Sequence, residues 1–145
     1  MKSEDDLITD DEGLLRRVRK ERFRTTTVAV ISPNAFEPRT EGRDPDIDGI
    51  SFYREQCLAD AAEILAAVVV EKRAEIGIVR VSVSFLKSLG LTVVSKPVPG
   101  IKGHIVIPEL NAADYKQHKA RFTPIKEKLA AEASLDANIV RYPSA

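Results

Sequence analysis

Val79, Val81 and Val83 stand two apart, alternate with Arg80, Ser82 and Ser84, and run on to Phe85, the period of a strand with one buried face. Ser84 to Leu89 then reads as one short helix closed by Gly90, and Leu91 to Ser95 as a second strand. A Pro-Gly loop, Lys96 to Gly103, leads to His104-Ile105-Val106-Ile107, where Ile105 and Ile107 share one face and His104 and Val106 the other. Upstream the period is different. Tyr53, Cys57, Ala61, Ile64, Leu65 and Val68 recur at three- and four-residue spacing, which predicts an amphipathic helix over about 52–73, with Ser51 as its cap and Lys72 and Arg73 at its carbonyl end. Arg24 to Ile31, rich in threonine and β-branched residues, predicts another strand, broken by Ser32-Pro33-Asn34. Residues 37–49 read as a long exposed loop. Asn111 caps a helix to about Arg121, Thr123 with Pro124 starts another to about Ala133, and Ile139 to Tyr142 forms a last edge strand or an extended tail.

The pattern as a whole predicts an α+β fold: a central mixed or antiparallel sheet of about four to five strands, one long helix and two C-terminal helices. A chain of 145 residues fits a single domain and can bury roughly two-thirds of its unfolded surface. Residues 1–13 carry Glu4, Asp5, Asp6, Asp10, Asp11 and Glu12 with little to bury, so they are expected to form a flexible acidic tail ahead of one domain over 14–145. The longest apolar run, Ile64 to Val70, is far short of the roughly 20 residues a membrane helix needs, and the acidic start does not resemble a secretory signal. The single Cys57 excludes an internal disulfide framework. These features lead to the expectation of a soluble, cytoplasmic protein with no membrane partner.

The 22 basic and 22 acidic residues balance, so any field is local. The sharpest local feature is a sign change after Gly13, where Arg16, Arg17, Arg19, Lys20, Arg22 and Arg24 face only Glu21. Leu14, Leu15, Val18 and Phe23 can anchor this stretch while the basic groups stay solvated. Alternatively, stripe 16–24 binds an anion or nucleic acid, although no aromatics interleave for base stacking. Cys57 lies on the predicted apolar stripe and reads as a buried structural thiol. His104, after Gly103 at a strand start, is placed to project into a cleft, and His118 reads as solvent-facing in mid-helix. The two histidines lack the partners of a zinc site, and Asp44, Asp46 and Asp48 lack the closing glutamate of a calcium loop. Gly100-Ile101-Lys102-Gly103 matches the Gly-x-x-Gly of single-strand RNA-binding KH modules, but it precedes a predicted strand where those modules have a helix. No nucleotide-binding glycine loop is present.

Leu14-Leu15-Arg16-Arg17-Val18, Ser32-Pro33-Asn34-Ala35-Phe36, Asp48-Gly49-Ile50-Ser51-Phe52 and Gly103-His104 together resemble a group of small uncharacterised bacterial proteins, a likeness that implies no activity. The order of these blocks is also distantly similar to ADP-ribosyltransferase-like domains. That resemblance implies catalytic roles for Arg17, Ser51 and His104: Arg17 on a pyrophosphate, Ser51 at the cofactor ribose, His104 at the transition state. NAD would be the cofactor. The glutamate usual in such domains has no clear counterpart here other than Glu109. Three readings follow. The first is a non-catalytic interaction module with a protein partner and no cofactor. The second is an NAD-using transferase acting as a toxin or defence effector. The third is a nucleic-acid-binding protein.

Overall fold

The computed structural model describes residues 1–24, 30–42 and 44–144. Its strands are β1 (Gly13–Arg19), β2 (Phe23–Arg24), β3 (Val30–Ile31), β4 (Ile50–Arg54), β5 (Ile76–Ser82), β6 (Val94–Ser95), β7 (His104–Ile107) and β8 (Ile139–Arg141); its α-helices are α1 (Val83–Ser88), α2 (Ala112–Gln117) and α3 (Lys119–Ala133). Six strands form one antiparallel sheet in the order β6-β7-β4-β1-β5-β8, while β2 and β3 pair separately. The fold is α+β, with one strand more than the pattern predicted. Two of its strands were not expected, β1 beneath the arginine-rich stretch and β4 at the start of the predicted long helix, while the ends of the expected strand from Arg24 to Ile31 belong to the separate β2-β3 pair. Residues 25–29, the middle of the expected strand from Arg24 to Ile31, lie outside the described residues.

The sheet is covered on both sides, and this explains its hydrophobic pattern. On one face Leu14, Phe52, Val79, Val81, Ile105 and Ile107 pack with Val83 and Leu86 of α1 and Phe122, Leu129 and Ala133 of α3. On the other, Leu15, Tyr53, Ile76 and Ile78 pack against Leu58, Ile64, Leu65 and Ile101. At Phe52-Tyr53 in β4 and along Ile105-Val106-Ile107 in β7, neighbours are therefore both apolar, and the two-residue alternation disappears. The expected valine strand is present as far as Ser82; Ser82 then caps α1 by accepting the Phe85 amide. Gly90 closes the turn after α1 with φ of 79°.

The long helix over 52–73 does not exist. Its first residues belong to β4, and the rest forms three short 3-10 segments: Glu55–Cys57, Ala61–Ala67 and Val70–Glu75. Ser51 is therefore a mid-strand residue and not a helix cap. Two physical causes misled the periodicity. A strand buried on both faces carries no usable period. A 3-10 turn also brings residues three apart onto one side, so Ala61, Ile64 and Leu65 match a helical stripe. Asp60 and Glu63 cap each other's amides at the start of Ala61–Ala67, and the β-branched run Val68-Val69-Val70 does not favour helix continuation.

The acidic N-terminus does not project as a free tail. Glu12 is fully buried and grips Arg54 through two hydrogen bonds, of 2.8 and 3.1 Å. Arg54 also donates to the carbonyls of Asp6 and Leu7, and the Lys2 amide donates to the Gln56 carbonyl. At the other end of the chain, Asn111 caps α2 as expected, by accepting the Asp114 amide. The break between the last two helices falls at exposed His118 and not at Thr123; Pro124 lies inside α3. Ile139–Arg141 is an edge strand beside β5. Among the described residues no helix is long and apolar enough to cross a membrane.

Candidate functional site

β1 runs alongside β5 for its whole length, from Gly13 opposite Ser82 to Arg19 opposite Ile76. Its pairing with β4 stops after two positions, Leu14 with Arg54 and Leu15 with Tyr53. Beyond them the two strands part, while β4 stays paired with β7 as far back as Ile50. The gap, walled by Glu37 to Glu41 with Asp44 and Asp46 and by Ala67 and Val68, is a cavity of about 1010 Å³.

The arginines of β1 enter it from alternate faces of the strand. Arg16 is half-buried, donates from Nε to the Ala35 carbonyl at 2.9 Å and from Nη1 to the Ser51 carbonyl at 2.8 Å, and sits 5.8 and 5.6 Å from the ring centres of Phe36 and Phe52. Burial pushes its guanidinium down to about 10; Asp46 opposes that, and the neighbouring charges of Arg17 and Arg39 add to it. At neutral pH it stays charged. Arg17 donates from Nη1 to the Ile64 carbonyl at 3.0 Å and stacks 5.5 Å from the Tyr53 ring. Arg19, Arg22 and Arg39 complete the basic lining, and Glu37, Glu41, Asp44 and Asp46 supply opposing charge. Among the described residues, none of the five guanidiniums lies within 4.0 Å of a carboxylate. Lys20, which the sequence grouped with them, pairs instead with Glu75 at 2.8 Å, and the Arg24 side chain lies outside the described part. Of the basic stripe, Arg16, Arg17, Arg19 and Arg22 thus line one cavity, reached from both faces of the strand, and Lys20 is paired away from it.

Ser51 lines the same cavity. Its Oγ lies 2.8 Å from Nε2 of His104, whose Nδ1 lies 2.6 Å from the Lys96 carbonyl oxygen. A carbonyl can only accept, so Nδ1 carries the hydrogen, and in the neutral ring Nε2 accepts from the Ser51 hydroxyl. The local fold sets this up. Ser51 and Tyr53 point to one face of β4, and His104 lies directly across from Tyr53, the two rings 5.2 Å apart. The β6–β7 hairpin returns Lys96 to His104, whose carbonyl accepts the Lys96 amide at 2.9 Å. Gly103 has φ of 83°, and an added Cβ there would lie 3.0 Å from the Cys57 Cβ, so the chain can pass this close only as glycine.

Of the three residues singled out from the resemblance, Ser51 and His104 are in direct contact and Arg17 lines the same cleft. His104 is the first residue of β7, at a strand start as expected, and is buried. Glu109 lies elsewhere, accepting the amide and hydroxyl of Thr92. Cys57 is buried, and burial pushes its thiol up, against the pull of Arg54. The Gly100–Gly103 turn joins strands, unlike the KH loop. Asp46 is engaged locally, taking the Arg39 amide at 2.6 Å, and Asp48 pairs with Lys96. Among the described residues, no three His, Cys, Asp or Glu side chains gather for a metal ion.

Sequence reasoning missed Tyr53, which stacks on both Arg17 and His104, and Arg39. It also missed a cluster at the cleft wall, where the buried Tyr115 hydroxyl donates to Glu37 and buried Lys126 reaches Tyr115 and Asn34 at 3.4 Å each. The signal for Tyr53 was there, two residues after Ser51 on a strand. No family model matches the chain, and no curated protein and no solved structure is similar to it at a significant level.

Proposed function

We propose that this protein is a binding module that takes an oxyanion, a phosphate or carboxylate presented by a partner protein, into the cleft between β1 and β4. The observation that carries this reading is the set of five guanidiniums on one cavity, none of them within 4.0 Å of a carboxylate among the described residues. Guanidinium forks match phosphate and carboxylate oxygens in pairs, and such charge-assisted bonds are roughly twice as strong as neutral ones. Arg16 and Arg17 are each tied to backbone carbonyls, so their positions are set before a ligand arrives and little ordering entropy remains to be lost.

Inorganic pyrophosphate is the probe. Calorimetric titration at low salt should show saturable binding that weakens as salt rises. Replacing Arg19 and Arg22 together by alanine should reduce affinity by about tenfold or more, equivalent to about 1.4 kcal/mol. No saturable heat with the native protein, or equal binding by the double variant, overturns the proposal. A second reading, the NAD-using transferase, draws on Arg17 and Ser51 sharing one cavity with His104 bonded to Ser51. It predicts that NAD raises the melting temperature and that Arg17→Met abolishes the rise; an unchanged melting temperature refutes it.

A further inference from the structure

We propose that Ser51 and His104 form a nucleophile–base pair that hydrolyses an ester bearing an anionic group, with the arginine-lined cleft as its binding pocket. The inference goes beyond binding and rests in part on the proposed oxyanion cleft. Three observations converge. Ser51 Oγ is 2.8 Å from His104 Nε2, within the range expected of a nucleophile and its base. The other ring nitrogen is committed to the Lys96 carbonyl at 2.6 Å, which fixes the tautomer and leaves the lone pair aimed at the serine. The serine borders the large cavity, whereas His104 is 8 % exposed and held behind it. A backbone carbonyl thus occupies the orienting place that a carboxylate takes in Ser-His-Asp sites. A tie between two strands would need none of this directionality, because β4 and β7 are already joined through four consecutive paired positions.

The chemistry balances with water as the only co-reactant. The Ser51 oxygen bonds to the ester carbon while its proton passes to His104 Nε2, and the carbonyl electron pair moves onto oxygen. The guanidiniums that line the cleft beside Ser51 supply positive charge for that oxyanion. As the tetrahedral species collapses, the carbon–oxygen bond to the leaving alcohol breaks and the alcohol takes the proton from Nε2. Water then adds to the acyl-serine by the same route. It delivers its proton through His104 to Ser51, releases the carboxylic acid and restores the free hydroxyl. The substrate class is a carboxylic ester with a phosphate or carboxylate a few bonds from the acyl carbon, since the cleft offers guanidiniums for that second group.

The test uses the full chain and a fluorophosphonate probe, read by intact mass and peptide mapping. One adduct on Ser51 is expected, absent in Ser51→Ala and formed at least about 100-fold more slowly in His104→Gln, the scale of a lost general base. Circular dichroism and urea unfolding establish that each variant is folded. If His104→Gln does not fold, Ser51→Cys in the native background replaces it: the new thiol should react with iodoacetamide much faster than buried Cys57. No adduct on Ser51 in folded native protein, equal labelling of His104→Gln, or a Cys at 51 no faster than Cys57 overturns the proposal. Pyrophosphate protection separates the two claims. Labelling without protection refutes the cleft as the pocket and leaves the pair standing; pyrophosphate binding without labelling refutes the pair and leaves the cleft.

Discussion

Replacing Arg54 by methionine tests the reading of the N-terminus as a structural part of the sheet. Arg54 is 1 % exposed and Glu12 is fully buried, the ion pair most completely removed from water among the described residues. The carboxylate accepts two bonds from the guanidinium, one from the Thr9 amide at 2.7 Å and one from Lys2 at 3.3 Å. Methionine matches the volume of arginine but supplies no donor. It leaves a buried carboxylate without its two guanidinium bonds and leaves the carbonyls of Asp6 and Leu7 without theirs. Breaking one side of a buried pair costs about 3–5 kcal/mol, a large part of the roughly 5–15 kcal/mol that holds a domain together. With a urea slope of about 1–3 kcal/mol per molar, the midpoint should fall by about 2 M. The double variant Glu12→Leu with Arg54→Met removes both charges and should recover most of the loss. The ion pair also fixes a pH dependence. Burial alone would raise the Glu12 pKa, but the bonds from Arg54 and the Thr9 amide outweigh it and leave it below the ordinary value of 4.5. A group held low when folded stabilises above its unfolded pKa, and that contribution is lost as pH falls below about 4.5. Glu12→Gln should therefore flatten the acid limb of the stability profile. A midpoint shift under about 0.5 M for Arg54→Met, or a double variant weaker than the single, would refute the reasoning.

Three further outcomes follow from the packing. Burial, and then the bond to Glu37, push Tyr115 up to about 12, so one of the three tyrosines should resist ionisation in an ultraviolet titration and Tyr115→Phe should remove that late step; stability from this group holds below about pH 10 and declines as pH rises towards 12. Gly49 has φ of 119° and its Cβ position collides with the Ile107 carbonyl, so Gly49→Ala should cost upwards of about 2 kcal/mol in denaturant unfolding; Gly42→Ala, with φ of 93° and open space around it, should cost about 1 kcal/mol from conformation alone. Cys57, 2 % exposed with its thiol pushed up, should react with a disulfide reagent at the rate of unfolding, and immediate reaction in the native state would contradict its burial.

What the sequence revealed and what it concealed divide along a physical line. Elements whose signal is local were legible: the Asn111 cap, the Gly90 turn, the valine strand up to Ser82 and the Ile139–Arg141 edge. Elements whose character comes from what covers them were not. β4 has Phe52 against the helices and Tyr53 against the opposite cluster, so its run Ile50–Arg54 offered no alternation. β1 looked like a solvated basic stretch because Arg16 and Arg17 occupy a central strand, a place where charged residues belong only if the sheet opens beside them. The pairing of Ser51 with His104 depends on a register set by sheet order, which no spacing of 53 residues could disclose.

The opening of the sheet and the placement of the site have one cause. Where two strands separate, their inward backbone groups lose partners, and leaving them buried and unpaired would cost free energy. At the Ser51 carbonyl, two residues past the end of the β1 pairing, Arg16 supplies the missing donor with its own side chain, and its Nε donates to the Ala35 carbonyl on the opposite bank. The guanidinium thereby stands in for a strand and makes the cleft stable without ligand. The same substitution frees the Ser51 side of β4 to face solvent-filled space while β7 still holds it from behind. The N-terminal segment completes the frame: the Gly103 amide donates to Glu4 at 2.9 Å and its carbonyl accepts the Arg54 amide at 2.8 Å, so the turn that delivers His104 is anchored on both sides. Loosening the Arg54 cluster should then disturb His104 as well as stability, and fluorophosphonate labelling of Ser51 should slow in Arg54→Met even below its unfolding midpoint.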